Sequence, residues 1–526
     1  MKRRQTLAAV VSLTLMLASP VFAAGDEPLI VAVKSRDVAA VRTLLASRAD
    51  VNATEGDGAT ALHWAAYHDD AALVETLVKA GARVDVANDL GVTPLFASAE
   101  NGNAAIARRL LAAGANANAT LVGGESLLMT ASRSGATDVV QALLEHGANP
   151  NVTERSHGQT ALMWAVAQRH PEVVRQLLAR GADTRARTTS YPQVVKTVLQ
   201  ATNPAAIVEI QQGGYTPLLF AARVGDRESA ALLLAAGADV NDVAPLGTSA
   251  LTVAVHSGNA PVASLLLEKG AEPNHAAAGY TALHAALLHR DASLVKQLLE
   301  HGADPNAPVT MATPTRRDSV DFYIDSSYVG ATPAWLAARF NEPEILRLLL
   351  DHGADGHAVF SPTYYVGDGP ARPKDAPPAD GPDRKLVKEG TVTLVMAAIG
   401  LGGRQPLFGD TLLGRLAESA RGDAKQSTLS ESTVLETVRI GAAAGGDLRV
   451  ANADGDTALH AAATRSYAAI VTWLVEHGAD VNAVNAKNQT PLDLANGALA
   501  TEVSEYLQAH DAVTKTPVER QEPRRR

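Results

Sequence analysis

The amino-acid sequence predicts an all-α repeat solenoid, on the basis of two regularly spaced series of glycines and the composition. Gly58, Gly91 and Gly124 stand 33 residues apart. A second series, of Gly-Ala pairs, includes Gly81 and Gly114 and has the same period. The chain of 526 residues is 46% hydrophobic but only 4% aromatic, so its core must consist mostly of Ala, Leu and Val. Thin layers of small side chains with this period are typical of stacked helical repeats.

Each repeat is predicted to contain two helices. In one repeat, Thr93 is a suitable N-cap and Pro94 a suitable first helical residue. A second helix carries apolar residues three and four positions apart, such as Val140 and Leu144, and ends before Gly147, which can adopt the left-handed conformation. The Asn- and Asp-rich stretch that follows turns the chain into the next unit.

Residues 1–23 have the pattern of a secretory signal peptide. Basic residues at 2–4 precede an apolar run at 7–17, and cleavage is expected after Ala23. The run is only about half the ~20 residues that span a bilayer, so a membrane anchor is disfavoured. The short signal and the Ala-rich composition favour a bacterial protein. We therefore expect a location in the periplasm, with secretion as the alternative, and no membrane span after signal cleavage.

Charge and missing motifs exclude several function classes. With 46 basic and 56 acidic residues the chain has a formal net charge of −10, which disfavours a nucleic-acid partner. There is no Cys, so disulfides, thiolate zinc sites and Cys nucleophiles are excluded. The sequence contains no G-x-S-x-G elbow, P-loop or H-E-x-x-H motif. We expect a monomer that is not an enzyme and has no cofactor and no metal.

Three predicted helix starts share the letters Thr-Ala-Leu-His, at residues 60–63, 281–284 and 457–460. With the Ala residues that follow them, these segments resemble the T-P-L-H-x-A pattern of the ankyrin repeat family. Gly-Ala-Asp-Val-Asn-Ala at 478–483 is similar to the end of that family's repeat. The resemblance covers about 26–510. It implies about ten helix–turn–helix units with hairpin loops, plus N- and C-terminal caps, and a non-enzymatic role in binding another protein.

Departures from the period mark insertions. Gly158 and Gly214 are 56 residues apart, and Gly279 and Gly330 are 51 apart. Insertions at the hairpin junction should emerge from one edge of the solenoid, where they commonly serve binding. The predicted organisation is an N-cap and four repeats at 26–187, an insertion at 188–212, repeats at 213–307, a hairpin-edge insertion at 308–327, a repeat at 328–357, a Pro/Gly-rich insertion at 358–390, a degenerate repeat with an internal insertion at 391–451, a repeat and C-cap at 452–510, and a disordered basic tail at 511–526.

The insertions carry one candidate interaction patch, rich in Arg and aromatic residues. Residues 320–325 alternate in polarity, which predicts a half-buried strand. Arg, Tyr and Trp are frequent in binding hot spots. The alternative is that the aromatic residues pin the long loops onto the solenoid. The patch comprises Arg316, Arg317, Phe322, Tyr323, Tyr328, Trp335, Phe340, Tyr364 and Tyr365.

The resemblance also implies a concave surface, to which the residues after the Ala pair of each first helix contribute. We call these residues the helix-end stripe. Because the stripe is basic on an acidic protein, it favours a protein partner with an acidic patch; an ordinary solvated face is the alternative. The stripe comprises Tyr67, His68, Arg133, Arg223, His256, His289, Arg339, Phe340 and Arg465.

The predicted function is a protein-binding scaffold of the bacterial periplasm that uses the concave groove and the hairpin-edge insertions. Two alternatives stay open: a secreted effector that acts on a host protein, and a small-ligand carrier or enzyme that uses residues 358–430. His63, His284 and His460 stand at the helix starts, where the resemblance implies hydrogen bonds between repeats, which are favoured over metal ligation.

Overall fold

The computed structural model describes residues 27–196, 207–311, 324, 326–365, 386–402 and 430–515. The chain forms two compact units, which divide between Ala186 and Arg187. The described parts contain 24 helices and four short strands. Within each unit the helices come in successive pairs, and the first helix of a pair packs against the first helix of the next. The predicted all-α repeat solenoid is confirmed.

The described part of the first unit consists of helix pairs alone. Its helices are α1 (Pro28–Lys34), α2 (Val38–Ala46), α3 (Ala61–Tyr67), α4 (Ala71–Lys79), α5 (Pro94–Asn101), α6 (Ala104–Ala112), α7 (Leu127–Ser134), α8 (Thr137–Glu145), α9 (Ala161–Ala167) and α10 (Pro171–Ala179).

The second unit adds two antiparallel strand pairs to its helix pairs. Strands β1 (Tyr191–Lys196) and β2 (Ile207–Gln212) pair with each other, as do β3 (Thr363–Tyr365) and β4 (Leu386–Lys388). The helices are α11 (Pro217–Val224), α12 (Arg227–Ala235), α13 (Ala250–His256), α14 (Ala260–Glu268), α15 (Ala282–Leu288), α16 (Ala292–Glu300), α17 (Pro333–Arg339), α18 (Pro343–Asp351), α19 (Leu394–Ala398), α20 (Glu431–Ala443), α21 (Ala458–Thr464), α22 (Ala468–Glu476), α23 (Pro491–Gly497) and α24 (Thr501–Ala509).

Local sequence explains where the helices begin and end. Thr93 and Pro94 occupy the predicted N-cap and first position of α5. Second helices often begin after Asp or Asn, as at Asp70, whose carboxylate accepts hydrogen bonds from backbone N–H groups of the first turn. Gly147 has φ +82° just after α8, so it holds the left-handed conformation expected at a helix end.

Small side chains allow the first helices to pack closely. Ala65, Ala66, Ala131 and Ala165 are fully buried in the first unit, between neighbouring first helices. The second helices supply Leu and Val on one side, and each fully buried Leu contributes about 2 kcal/mol by leaving water. Because every layer depends on its neighbours for burial, stability is distributed along the unit.

An asparagine bridge links consecutive repeats. The Nδ2 of Asn118 donates to the carbonyl oxygen of Gly147 at 3.0 Å, and its Oδ1 accepts from the backbone N–H of Asn149 at 2.8 Å. One side chain thus satisfies two backbone groups of the next repeat. The same two-bond bridge recurs at Asn52, Asn151, Asn274, Asn306 and Asn482.

Of the predicted disordered tail at 511–526, the structure describes residues 511–515, and these make defined hydrogen bonds. Thr490 Oγ1 donates to the carbonyl oxygen of Val513 at 2.8 Å, and the backbone N–H of Lys515 donates to Asp493 Oδ2 at 2.9 Å. Residues 511–515 are therefore held on the start of α23. These residues show no sequence periodicity because they contribute only backbone atoms to the two bonds.

Other predictions fall largely outside the described residues. Of the predicted strand at 320–325 only Ile324 is described, and it is buried. Nearly all of the internal insertion between α19 and α20 is likewise outside them. None of the helices in the described ranges combines the length and the apolar character needed to cross a membrane.

Candidate functional site

The stripe residues lie where the sequence predicted, at the ends of first helices. Tyr67, His256 and Arg339 are the last residues of their helices, and Arg133 and Arg223 are next to last in α7 and α11. Four other stripe residues directly follow a first helix and serve as its C-cap: His68, His289, Phe340 and Arg465. The exposure and the hydrogen bonds of these side chains differ from repeat to repeat.

In the first unit, an aromatic group surrounds the end of α3. Tyr67 is 39% exposed and meets the Trp64 ring edge-on, with 5.7 Å between ring centroids. Lys34 Nζ lies 4.4 Å from the Trp64 ring centroid, which is a cation–π distance. Burial, followed by the charge of Arg36, lowers the pKa of His68. Tyr67 therefore presents an aromatic face on a rigid support.

Arg133 is half-buried and held on two sides. Its guanidinium carbon lies 5.1 Å from the Trp164 ring centroid, and its Nη2 lies 3.6 Å from Glu125 Oε1. His170 Nε2 is 3.2 Å from the Arg133 carbonyl oxygen, so the helix end is also fixed by the next repeat. These contacts orient the guanidinium. Trp64 and Trp164 also belong to this surface, although the sequence analysis did not include them among the candidate residues. The sequence signal for both is a Trp directly before an Ala in the first helix.

In the second unit, Arg223 is exposed at the end of α11. Asn259 Nδ2 donates to the Arg223 carbonyl oxygen at 3.0 Å. One repeat further, His289 Nε2 is 2.9 Å from the His256 carbonyl oxygen, and both His side chains are half-buried. Neighbouring repeats therefore fix the helix ends through their carbonyls. The Arg223 guanidinium stays accessible to a partner.

Two stripe arginines instead bind the chain that follows α19. Arg339 is 5% exposed, and its Nε donates to the Gly402 carbonyl oxygen at 3.2 Å. Arg465 is half-buried, and its Nη2 donates to the Gly400 carbonyl oxygen at 3.1 Å. The prediction of an exposed side chain is therefore corrected for Arg339. The physical reason is that residues 400–402 lie over the helix ends and use the guanidiniums as donors.

The described part of the insertion patch packs inward. Tyr328 is 6% exposed, with its ring centroid 6.1 Å from that of Trp335 and 5.8 Å from that of Phe340. Trp335 is fully buried, meets Phe360 edge-on, and donates from Nε1 to the Val392 carbonyl oxygen at 3.3 Å. Tyr328 is thus no exposed hot spot, which corrects that prediction. These rings hold the insertions against the repeats, which agrees with the alternative interpretation of the aromatic residues.

The rest of the insertion patch is described only in part. Arg316, Arg317, Phe322 and Tyr323 lie outside the described residues. Tyr364 and Tyr365 belong to β3, where their backbones pair with Val387 and Leu386 of β4; their side chains are outside the description. Among the patch residues whose side chains are described, the structure brings Tyr328, Trp335 and Phe340 together.

The hairpin tips of the first unit were missed by the sequence reasoning. Leu90 is 56% exposed and Val122 is 65% exposed, and the backbone N–H of Val122 donates to the Leu90 carbonyl oxygen at 3.3 Å. The signal was an apolar residue one or two positions before the recurring glycine, as at Gly91 and Gly124. The two tips form a small apolar surface on the hairpin edge.

The helix-start histidines are structural. His63 Nδ1 accepts from the backbone N–H of Thr60 at 3.0 Å, so Nε2 carries the proton and donates to the Val92 carbonyl oxygen at 3.0 Å. Burial lowers the pKa of His63 and His460, and lowers that of His284 to about 4. In the described parts of the chain, no group of three or more His, Cys, Asp or Glu residues is placed to hold a metal ion.

Comparison with known families identifies the repeats. The sequence matches the family described as ankyrin repeats (3 copies) over residues 29–121, 119–188, 218–309 and 430–516. It matches the single ankyrin repeat over residues 329–359. These ranges together cover more than half of the chain and include helix pairs of both units.

Known relatives match only part of the chain. An ankyrin repeat protein of fowlpox virus is 29% identical over 134 residues, which are 25% of this chain and 27% of that protein. Rabankyrin-5 of Mus musculus is 30% identical over 165 residues, or 30% of this chain and 13% of that protein. The ankyrin repeat domain of human ASB11 is 26% identical with a TM-score of 0.38, covering 47% of this chain and all of that domain. The chain thus spans about a quarter or less of the two full-length relatives.

Proposed function

Since this chain belongs to the ankyrin repeat family, whose repeats generally mediate protein–protein interaction, we propose that it is a non-enzymatic scaffold that binds a protein partner. The binding surface is the helix-end stripe together with the hairpin edge. The partner carries an acidic patch, and the chain acts as a monomer. Its location is the periplasm of a bacterium, reached through the signal peptide at residues 1–23.

The proposal rests on Arg223, an accessible cation at a helix end whose backbone is held by the next repeat. Arg223 is exposed while Asn259 holds its carbonyl group. In the first unit, the side chains of Tyr67 and Arg133 lie against tryptophan rings. Binding hot spots are rich in Tyr, Trp and Arg, and a pre-oriented side chain loses less entropy on binding. The arginine side chains are positively charged although the chain has a net charge of −10, so they favour a partner with a negatively charged patch.

Affinity capture tests the proposal. The mature chain from residue 24 is immobilised and exposed to periplasmic extract of its source bacterium, beside an Arg223→Glu variant. Lys296→Glu is the matched control, because Lys296 is 58% exposed on α16, a second helix. We expect one stoichiometric protein with wild type and control, and its loss with Arg223→Glu. An empty eluate from a folded wild type, or equal capture by all three, contradicts the proposal.

Cell fractionation tests the location separately. Osmotic-shock fluid should contain the processed chain beginning at residue 24. Accumulation in the culture medium instead would favour the secreted effector, and retention of residues 1–23 in the cytoplasm would contradict export.

A further inference from the structure

A pocket of about 540 Å³ lies between the C-terminal ends of α20 and α22 in the second unit. These are second helices, so the pocket is separate from the helix-end stripe, which lies on first helices. Its polar lining is Arg439, Asp447, Arg449 and His477, and its apolar lining includes the Trp473 ring. The volume is within the range of small-molecule and side-chain binding sites.

The pocket opens where the asparagine bridge is interrupted. Arg449 is the last residue of the segment Gly-Gly-Asp-Leu-Arg. In the following repeat, the equivalent segment is Gly-Ala-Asp-Val-Asn, which ends with Asn482. By analogy with the other bridges, an Asn here would bind the Gly478 carbonyl oxygen and the Asp480 backbone N–H. Arginine has no acceptor atom, so it cannot form the second bond. Within the described residues no side chain joins these two groups, and Gly478 instead lines the pocket.

A stacked aromatic pair forms one wall. The rings of Trp473 and His477 are 4.0 Å apart with 21° between their planes. His477 Nδ1 is 2.7 Å from the Trp473 carbonyl oxygen, which fixes the imidazole against the indole. Trp473 is half-buried and is one of the residues that line the pocket. A rigid aromatic wall of this kind suits a flat apolar group.

The charges of the lining indicate an anion with one charge. The lining residues include two guanidiniums, of Arg439 and Arg449, and one carboxylate, of Asp447, so their summed charge is two minus one, or +1. Both arginines are exposed, and neither is part of an ion pair in the described ranges of the chain. A guanidinium binds a carboxylate through two parallel hydrogen bonds. A phosphate dianion would leave an excess negative charge beside Asp447.

We propose that this pocket binds a carboxylate attached to an aromatic or flat apolar group. Arg439 and Arg449 hold the carboxylate, and the apolar group stacks on Trp473. Either a free aromatic acid or the C-terminal residue of a peptide that ends in an aromatic side chain has this chemistry. The site is independent of the protein partner proposed for the helix-end stripe.

The test is ¹⁹F NMR of the full mature chain labelled with 5-fluorotryptophan, with the Trp473 signal assigned through Trp473→Phe. Benzoate, the peptide acetyl-Ala-Leu-Phe with a free carboxylate, its C-terminal amide and inorganic phosphate are titrated separately. We expect a saturable shift of the Trp473 signal with benzoate or the free-acid peptide, and at least a tenfold weaker effect with the amide. A shift with benzoate but not with the peptide indicates that the ligand is a free acid. A shift with the peptide but not with benzoate indicates that the ligand is the C-terminus of a chain.

Arg449→Asn gives the sharpest variant, because it removes a cation and restores the bridge to Gly478. It should abolish the shift while its Tm is at least that of wild type, so misfolding cannot explain the loss. Arg439→Gln should weaken binding at least tenfold, and the control Lys296→Gln should leave it unchanged. No saturable shift at 10 mM of any probe, a shift retained in Arg449→Asn, or phosphate binding more tightly than either acid would overturn the proposal.

Discussion

The regular repeats from α3 to α10 and the region from α17 to α19 use the same repeat position in opposite ways. In the regular repeats, Arg133 lies in the last turn of a first helix and is half-buried, with its guanidinium on Trp164. In the second region, the equivalent Arg339 is buried and donates to the Gly402 carbonyl oxygen. The difference comes from residues 400–402, which cover the second helix end. The position in the repeat therefore determines where the side chain is attached on the helix. The surrounding residues determine whether that side chain is exposed to a partner or buried in the fold.

Replacing the central aromatic ring of the covered region should have the largest effect. Trp335→Ala removes a fully buried ring that contacts Tyr328 and Phe360, and should cost about 3–5 kcal/mol of unfolding free energy. Trp164→Ala, in the regular repeats, should cost roughly 1–2 kcal/mol because that ring is half-buried. Urea denaturation followed by circular dichroism measures both. Equal losses would mean that the two regions do not differ.

Acid should destabilise the repeats through their buried histidines. Burial lowers the pKa of His284 from 6.5 to about 4. The unfolded chain therefore binds the proton more readily, so stability is complete above pH 6.5 and falls as the pH drops toward 4. For His284 alone the loss at pH 4 is about 3 kcal/mol.

Urea denaturation between pH 7.5 and 4 tests this pH dependence. His284→Met should flatten the curve, whereas His301→Gln should not, because His301 is exposed at the end of α16. A wild-type curve with no decline below pH 6.5 would contradict the assignment of His284 as a neutral buried group.

An asparagine bridge in the regular repeats should have an intermediate effect. Asn118→Ala leaves the Gly147 carbonyl and the Asn149 N–H without their side-chain partner, and should cost about 1–2 kcal/mol. Asn116→Ala is the control, since its side chain accepts only a local bond from the Asn118 N–H. Thermal unfolding compares the two variants. A loss no greater than that of the control would show that the bridge does not link the repeats.

Truncation of a stripe arginine that is not covered by other segments should have the smallest effect on stability. Arg133→Ala removes one cation–π contact with Trp164, worth about 0.5–1 kcal/mol at a partly exposed site. Arg223→Ala should change stability by less, because that side chain is exposed. Differential scanning calorimetry resolves this order, and a loss above that of Asn118→Ala would place Arg133 among the structural residues.

Most of the fold could be predicted because the sequence is repetitive. Which helix ends are covered by other segments of the chain could not be predicted. Thr93, Pro94 and Gly147 act locally, so their roles as N-cap, first helical residue and helix terminator could be predicted from short segments. The burial of Arg339 depends on Gly402, more than 60 positions away, and no period connects the two. The repeat pattern located these residues at helix ends, but their exposure depends on tertiary contacts.

Two variants measured side by side test the account most directly. Thermal unfolding and partner capture are recorded for Arg223→Glu and for Arg339→Met. We expect Arg223→Glu to keep the wild-type Tm and lose the partner, whereas Arg339→Met lowers the Tm because the Gly402 carbonyl loses its buried donor. A stable Arg339→Met together with undiminished capture by Arg223→Glu would contradict it.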